Sequence, residues 1–434
     1  MDDVTLPERP TIFALSSGQP PAAIAVIRIS GPAALDAAQA LIKSDLPPPR
    51  RAGLRRFIDP ETGDVLDEGL LLTFPGEKTE TGEDMVELHC HGSRAVVRAI
   101  EAVLARLPGL RLAEPGEFTR RAFLNGRIDL GVIEGLGDLL AAETAHQRRA
   151  AMAMMGGALS RKIAEWTSEL RRLAAQVEAQ IDFSDEGDVA GSNGLVGLAA
   201  ACGVIAHEME ADLVKPSAER LKDGVRVAIG GPPNAGKSTL FNYLVGREAA
   251  IVSPHAGTTR DVIEASIALK GLPFVLADSA GLREAGDEIE RIGIDRAGAL
   301  LAGADIVLWL GARNELPAVD GQVIQLHAKA DLDPTGEGLH VSAKTGEGMD
   351  ALVEALCAAA GRILPQAGDY ALSRRQRAAL ARAAVAVREA ADLDDEILVG
   401  ECLRQALGAL DELTGRSTTE AVLDELFSGF CIGK

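Results

Sequence analysis

Basic residues are in short supply in this chain. Its 434 residues include 44 Lys and Arg against 64 Asp and Glu, a formal charge of −20. A surface of that sign repels a phosphodiester backbone, so contact with nucleic acid requires a local basic patch or a second protein. Cysteine pairs are lacking as well. The five cysteines, at 90, 202, 357, 402 and 431, are odd in number and show no CxxC spacing. That argues against a disulfide framework and a structural zinc centre and fits a reducing compartment. No uncharged apolar run reaches the roughly 18 residues of a membrane span. The first residues, Met1-Asp2-Asp3-Val4, carry acid where a secretory leader carries base. The expectation is a cytoplasmic protein with no membrane association, of about three domains by length.

One stretch organises the rest. Val225-Arg226-Val227-Ala228-Ile229 reads as a strand and runs into Gly231-x4-Gly236-Lys237-Ser238, followed by a helix-like segment at 239–244. That is a phosphate-binding loop in its required context. The segment Asn234-Ala235-Gly236-Lys237-Ser238-Thr239 turns backbone N–H groups and a helix N-terminus toward a polyphosphate. Lys237 reaches the terminal phosphates and Ser238 offers a hydroxyl to Mg²⁺.

Upstream, 11–15 and 23–30 read as strands, 33–42 as a short helix, 59–64 as a turn, 84–91 as another alternating stretch and 95–107 as a helix. Residues 1–125 thus form a small α+β domain. Glu87, His89 and His91 share one face of their strand. The two histidines are half of a metal site or are structural, and no further Cys/His cluster completes the set. Arg28 stands in an otherwise apolar strand, where a charge is either solvent-facing or functional. Packed helices are expected at 141–153 and 163–179, and the same Ala-, Leu- and Glu-rich texture returns over 373–413. It ends in the capping-box pattern Ser417-Thr418-Thr419-Glu420 before a helix at 421–427. Between the helical blocks, strands and helices alternate, predicting a mostly parallel, doubly wound sheet. The expected architecture is multidomain: an N-terminal α+β domain (1–125), a discontinuous α-helical domain (126–221 and 364–434) and an inserted α/β P-loop domain (222–363).

Four further stretches identify the nucleotide as GTP. Gly257-Thr258-Thr259-Arg260 places Thr259 to complete the Mg²⁺ shell and sense the γ-phosphate. Asp278-Ser279-Ala280-Gly281 ends a strand as the DxxG of a GTPase does, its carboxylate facing the metal and the Gly281 N–H facing the γ-phosphate. Ala328-Lys329-Ala330-Asp331 lies where GTPases carry NKxD, with Asp331 the acceptor for the guanine N1–H and 2-amino group. Ser342-Ala343-Lys344 closes over the base. Two departures stand out. Ala328 removes the side chain that ties the base-recognition loop to the P-loop. Leu282 follows DxxG where a Ras-like protein has its water-orienting glutamine, so another group must hold the water. Asp287, Glu288 and Glu290 are within reach, as catalytic groups or as a solvated face.

These stretches, with Ala249-Ala250-Ile251-Val252-Ser253, Arg291-Ile292-Gly293, Ile27-Arg28-Ile29-Ser30-Gly31, Thr81-Gly82-Glu83-Asp84, Pro115-Gly116-Glu117-Phe118 and the terminal Phe430-Cys431-Ile432-Gly433-Lys434, resemble the TrmE (MnmE) family of tRNA-modification GTPases over nearly the whole chain. The resemblance implies a homodimer that joins an FAD-dependent partner in a heterotetramer. Together they modify C5 of the wobble uridine (U34) of certain tRNAs with a (carboxymethyl)aminomethyl-type group. It implies a tetrahydrofolate derivative, the 5-formyl or 5,10-methylene form, as one-carbon source, held by Arg28, Glu87, Arg127 and Lys434. Cys431 is then either a small buried hydrophobe or a participant near the folate. By the same resemblance Glu290 is the catalytic glutamate, and Asn234 binds K⁺ with Ser253, the His255 carbonyl and Thr258. The competing reading is a ribosome-assembly GTPase, which would be expected to carry a basic RNA-binding module.

Overall fold

The computed structural model describes residues 9–182, 193–247, 263–278, 298–333, 335–366, 368–417 and 420–433. By contacts the chain forms two units, one of residues up to Ile133 with Thr414–Lys434, the other Glu134–Leu413. The segment from Thr414 onward therefore clusters with the N-terminal unit, although its sequence texture continues that of the second helical block.

In the first unit, β1 (Thr11–Leu15), β2 (Ile24–Ser30), α1 (Ala34–Ala40), β3 (Gly53–Ile58), β4 (Val65–Phe74), β5 (Met85–His91), α2 (Arg94–Arg106), β6 (Leu110–Leu112) and α3 (Glu117–Leu124) precede α4 (Leu130–Ala141). The sheet runs β3-β4-β5-β2-β1-β6, antiparallel except for β1 beside β6. Period-two alternation sends Ala25, Ile27 and Ile29 of β2 and Val86, Leu88 and Cys90 of β5 into one core. There they meet Val97, Ile100, Val103 and Leu104, spaced by three and four along α2. Ser93 caps α2, its hydroxyl accepting the Val96 N–H at 3.1 Å. The opposite face, carrying Arg28 and Glu87, stays partly open, and Phe118 of α3 packs there with Ile12, Ala14 and Ala113.

In the second unit, α5 (Ala145–Met155), α6 (Ala158–Asp182), α7 (Asn193–Val214) and α8 (Ala218–Asp223) lead into β7 (Val225–Gly230), α9 (Lys237–Arg247), β8 (Ile263–Leu269), β9 (Leu272–Asp278), β10 (Ile306–Trp309), β11 (Gln322–Ala328), β12 (Leu339–Val341) and α10 (Met349–Ala360). Then come α11 (Arg374–Asp392) and α12 (Glu396–Thr414), and α13 (Glu420–Ser428) returns to the first unit. Trp166, Leu170, Leu173 and Val177 of α6, Cys202 and Met209 of α7, Val387 of α11 and Leu403 of α12 share one buried core. The sheet order is β12-β11-β10-β7-β9-β8, parallel except for the β8–β9 pair. It is the doubly wound insert that the alternation predicted. Among the described residues, no helix is long and apolar enough to cross a membrane.

Candidate functional site

A parallel sheet concentrates the ends of its strands at one edge, and ligands bind there. β7 and β9 are neighbours with Ile229 opposite Asp278, so the loop after β7 and the carboxylate ending β9 arrive together. Ser238, in the first turn of α9, donates its hydroxyl to Asp278 Oδ2 at 2.7 Å. Two hard oxygens at that spacing, both at the phosphate loop, have the chemistry that a hard divalent cation prefers. Lys237 is buried, and its ammonium donates to the carbonyls of Gly231 and Pro232 at 3.0 and 2.8 Å. Asn234 holds a left-handed backbone, φ 59°, which asparagine tolerates better than most residues. Its carbonyl accepts the Lys329 ammonium at 2.8 Å.

That last bond ties the base loop to the phosphate loop, a link that Ala328 itself cannot make. A cavity of about 210 Å³ opens between them, lined by Gly236, Thr239, Lys329, Asp331 and the Ser342-Ala343-Lys344 segment. The base-recognition residues named from sequence are thus assembled around one space. Ser342 is buried and organises its turn, with its N–H on the Glu347 carbonyl at 2.9 Å and its hydroxyl accepting the Thr345 N–H at 3.2 Å.

On the open face of the first sheet, Arg28 and Glu87 are directly opposed in the β2–β5 register and bonded, Nη2 to Oε1 at 3.0 Å. Arg28 also pairs with Glu80 at 2.9 Å and lies 5.8 Å from the Phe118 ring centre. Arg127 donates Nε to the Thr79 carbonyl at 3.2 Å. Arg28 and Arg127 thus both reach the loop at 79–83, Arg28 through Glu80, which the sequence reading did not single out. No local periodicity could have announced it.

His89 bonds Glu87 at 3.3 Å and His91 bonds Asp67 at 2.8 Å, each with its own carboxylate. Among the described residues, no group of three or more His, Cys, Asp or Glu is placed to hold a metal. Cys431, read alternatively as a small buried hydrophobe, is exposed, because it lies in the short tail after α13 where only its carbonyl is engaged, by the Gly116 N–H at 3.4 Å. Ser253, His255, Thr258, Thr259, Gly281, Glu290 and Lys434 lie outside the described residues.

Comparison with known proteins follows this geometry. Residues 11–127 match the family described as the GTP-binding protein TrmE N-terminus, and 130–431 match the MnmE helical domain. A tRNA modification GTPase of Rhizorhabdus wittichii is 56% identical, over 98% of this chain and 96% of its own length. One from Erythrobacter litoralis is 54% identical, over 98% of this chain and all of its own. Among solved structures, the G domain of the T. maritima FeoB iron transporter aligns at 26% identity with a TM-score of 0.25, over 31% of this chain and 98% of that one. With both family matches and full-length relatives in agreement, the chain belongs to the MnmE family of tRNA modification GTPases and is a GTP hydrolase acting in tRNA modification.

Proposed function

We propose that this chain is the potassium-dependent GTPase of a two-protein system that modifies C5 of U34 in certain tRNAs with a (carboxymethyl)aminomethyl-type group. The observation that carries this reading is that one chain gathers the P-loop and base-recognition residues around one cavity and also holds a domain that matches the TrmE N-terminus. In this reading the chain acts in the cytoplasm as a homodimer and joins an FAD-dependent partner in a heterotetramer. Ser238 and Asp278 hold Mg²⁺ against the phosphates, Lys237 leaves its carbonyls to bond the transferring group, and Asp331 selects guanine. Glu290 orients the attacking water that Leu282 cannot.

The side-chain amide of Asn234 has no partner among the described residues, and its oxygen suits a potassium ion shared with Ser253, the His255 carbonyl and Thr258. Such an ion supplies the positive charge that an arginine finger supplies elsewhere. In the first unit the Arg28–Glu87 pair presents an acceptor and a donor fork on a half-open face, a polar set that fits a folate, with Arg127 and Lys434 completing it. Cys431 is exposed, as a participant in that chemistry would have to be.

Reconstitution with the partner, GTP, a methylene-tetrahydrofolate and undermodified tRNA tests the whole. The expected result is a C5-modified uridine, detected by nucleoside mass spectrometry, that depends on GTP and is formed in K⁺ but poorly in Na⁺ at equal ionic strength. No product in either salt removes the proposal.

A further inference from the structure

A concentrated run of positive charge outside the nucleotide site lies along one edge of the first unit's sheet. Residues 43–56 contain Lys43, Arg50, Arg51, Arg55 and Arg56 against Asp45, 5 − 1 = +4, within a chain of net −20. β3 is the edge strand of its sheet, and Pro47-Pro48-Pro49 stiffens the segment leading into it. Two of these arginines, Arg50 and Arg55, are ordered by backbone carbonyls. Arg55 donates Nε and Nη2 to the Asp45 carbonyl at 3.1 and 2.9 Å and Nη1 to the Leu54 carbonyl at 2.9 Å. Arg50 donates to the carbonyl of Lys78 and lies 5.7 Å from the Phe74 ring centre. Arg51 and the Lys78 ammonium have no partner among the described residues, and of the four arginines only Arg56 meets a carboxylate, Glu68 at 2.7 Å.

A carbonyl fixes a guanidinium without cancelling its charge. The arrangement therefore keeps the cations uncompensated while part of the ordering entropy that binding would cost is already lost. A planar guanidinium with free N–H groups on a rigid edge matches phosphate oxygens. A second copy of the chain would bring the same positive edge and be repelled. A different basic cavity, in the second unit, sets Arg220, Arg226, Arg374 and Arg377 against Glu219, Asp223 and Asp305, 4 − 3 = +1, and so offers far less net charge to an anion. We propose that Arg50, Arg51, Arg55 and Lys78 form the surface on which this chain contacts the phosphodiester backbone of tRNA. The proposal rests on the tRNA-modifying function above, and it places the local basic patch that so acidic a chain requires.

The test uses the full chain and unmodified bulk tRNA, with affinity measured between about 50 and 200 mM salt, the range over which backbone contacts are most sensitive. R50Q/R51Q/R55Q is expected to bind at least tenfold more weakly at the low end. Its slope of log K against log salt should fall by roughly 2, each lost phosphate contact removing about 0.7–0.9. GTP turnover should be unchanged. R51E/K78E, which breaks no side-chain contact in the fold, should lose affinity with an unaltered melting temperature. Unchanged affinity or unchanged slope in R51E/K78E overturns the surface. Salt-dependent tRNA binding that these variants abolish, from a chain that yields no modified uridine, would uphold the surface and sink the modification reading instead.

Discussion

Replacing both His327 and His340 by leucine should weaken guanine-nucleotide binding while leaving turnover at saturating GTP intact. Ala328 stands where the base-recognition motif carries asparagine, so the loop bearing Asp331 loses one tether to the P-loop and keeps the bond from Lys329 to the Asn234 carbonyl, 2.8 Å. The far side of that loop is held by histidine. His327 and His340 face each other across β11 and β12 with ring centres 5.0 Å apart. Because a carbonyl can only accept, each ring donates its Nε2–H, His327 to the Asp333 carbonyl at 2.6 Å and His340 to that of Gly336 at 2.7 Å. The loop sits so low that a Cβ at Gly336 would fall 1.8 Å from His327 Nδ1. At about 0.5–1.5 kcal/mol net per hydrogen bond, the pair contributes roughly 1–3 kcal/mol to holding Asp331 in place. If that order is needed to bind the base, the double variant should raise the GDP Kd and the GTP KM roughly 5- to 150-fold. Titration with a fluorescent GDP analogue and steady-state hydrolysis give the two readings. Glutamine at both positions keeps an N–H within reach and should restore most of the affinity. A leucine pair that binds GDP as tightly as the parent refutes the argument, and so does a fall in kcat that tracks a general loss of melting temperature.

Asp331→Asn sets an N–H against guanine N–H groups, and at about 1.5–3 kcal/mol per charged hydrogen bond GTP should bind at least tenfold more weakly while xanthine nucleotides gain; competition binding with no such exchange of preference would remove Asp331 from base recognition. Burial pushes the Glu117 carboxyl up, but Arg111, the Glu114 N–H and Arg121 together hold it below the usual carboxylate range. Its stabilisation is therefore present above the ordinary value near 4.5 and is lost as pH falls through the lowered one. Glu117→Ala leaves Arg121, whose side chain is 4% exposed, with Glu83 as its one remaining carboxylate beside the Pro10 and Ser30 carbonyls and should cost about 3 kcal/mol at pH 7, the gap to the parent narrowing in acid melts; a constant gap contradicts this. Cys431 is exposed whereas burial pushes the Cys90 and Cys202 thiols up to about 11, so maleimide at pH 7.5 should label Cys431 first, and a fast phase that survives Cys431→Ser would show the tail to be placed wrongly.

The nucleotide domain was legible because its signals are local. A strand, a glycine-rich loop, Lys237-Ser238 and a helix are contiguous, and the helix at Met349–Ala360 follows from spacing alone. The edges of the first sheet were not legible in the same way. β3 carries Arg55 and Arg56 because an edge strand needs no apolar side on its outer flank. β4 interrupts its alternation with Leu70-Leu71-Leu72, where Leu71 is buried in the core and Leu70 is 41% exposed. α7 was passed over because its apolar residues are mixed with small ones, and only contact with α11 shows which face is inside. The Arg28–Glu87 bond depends on strand register, which turn geometry and burial decide over 59 residues of intervening chain.

The placement of the C-terminal tail follows the same logic at the longest range. Pro115-Gly116-Glu117-Phe118 and the terminal Phe430-Cys431-Ile432-Gly433-Lys434 lie some three hundred residues apart, yet Pro115 and Ile432 form an antiparallel bridge. Both stretches need glycine for one shared reason. At Gly116, φ +67°, a Cβ would lie 2.6 Å from the Phe427 carbonyl oxygen. At Gly433, φ +96°, it would lie 2.2 Å from that of Leu15. Either added methyl group would strain the backbone and push the tail from β1 and α3. Arg120 of α3 meets Asp424 of α13 at 3.1 Å, an exposed pair worth little by itself. The glycine contacts therefore carry the specificity. Two motifs that read as separate signatures in the sequence are the two sides of one contact, and the first unit completes its fold only when the segment that carries Ile432 and Gly433 is present.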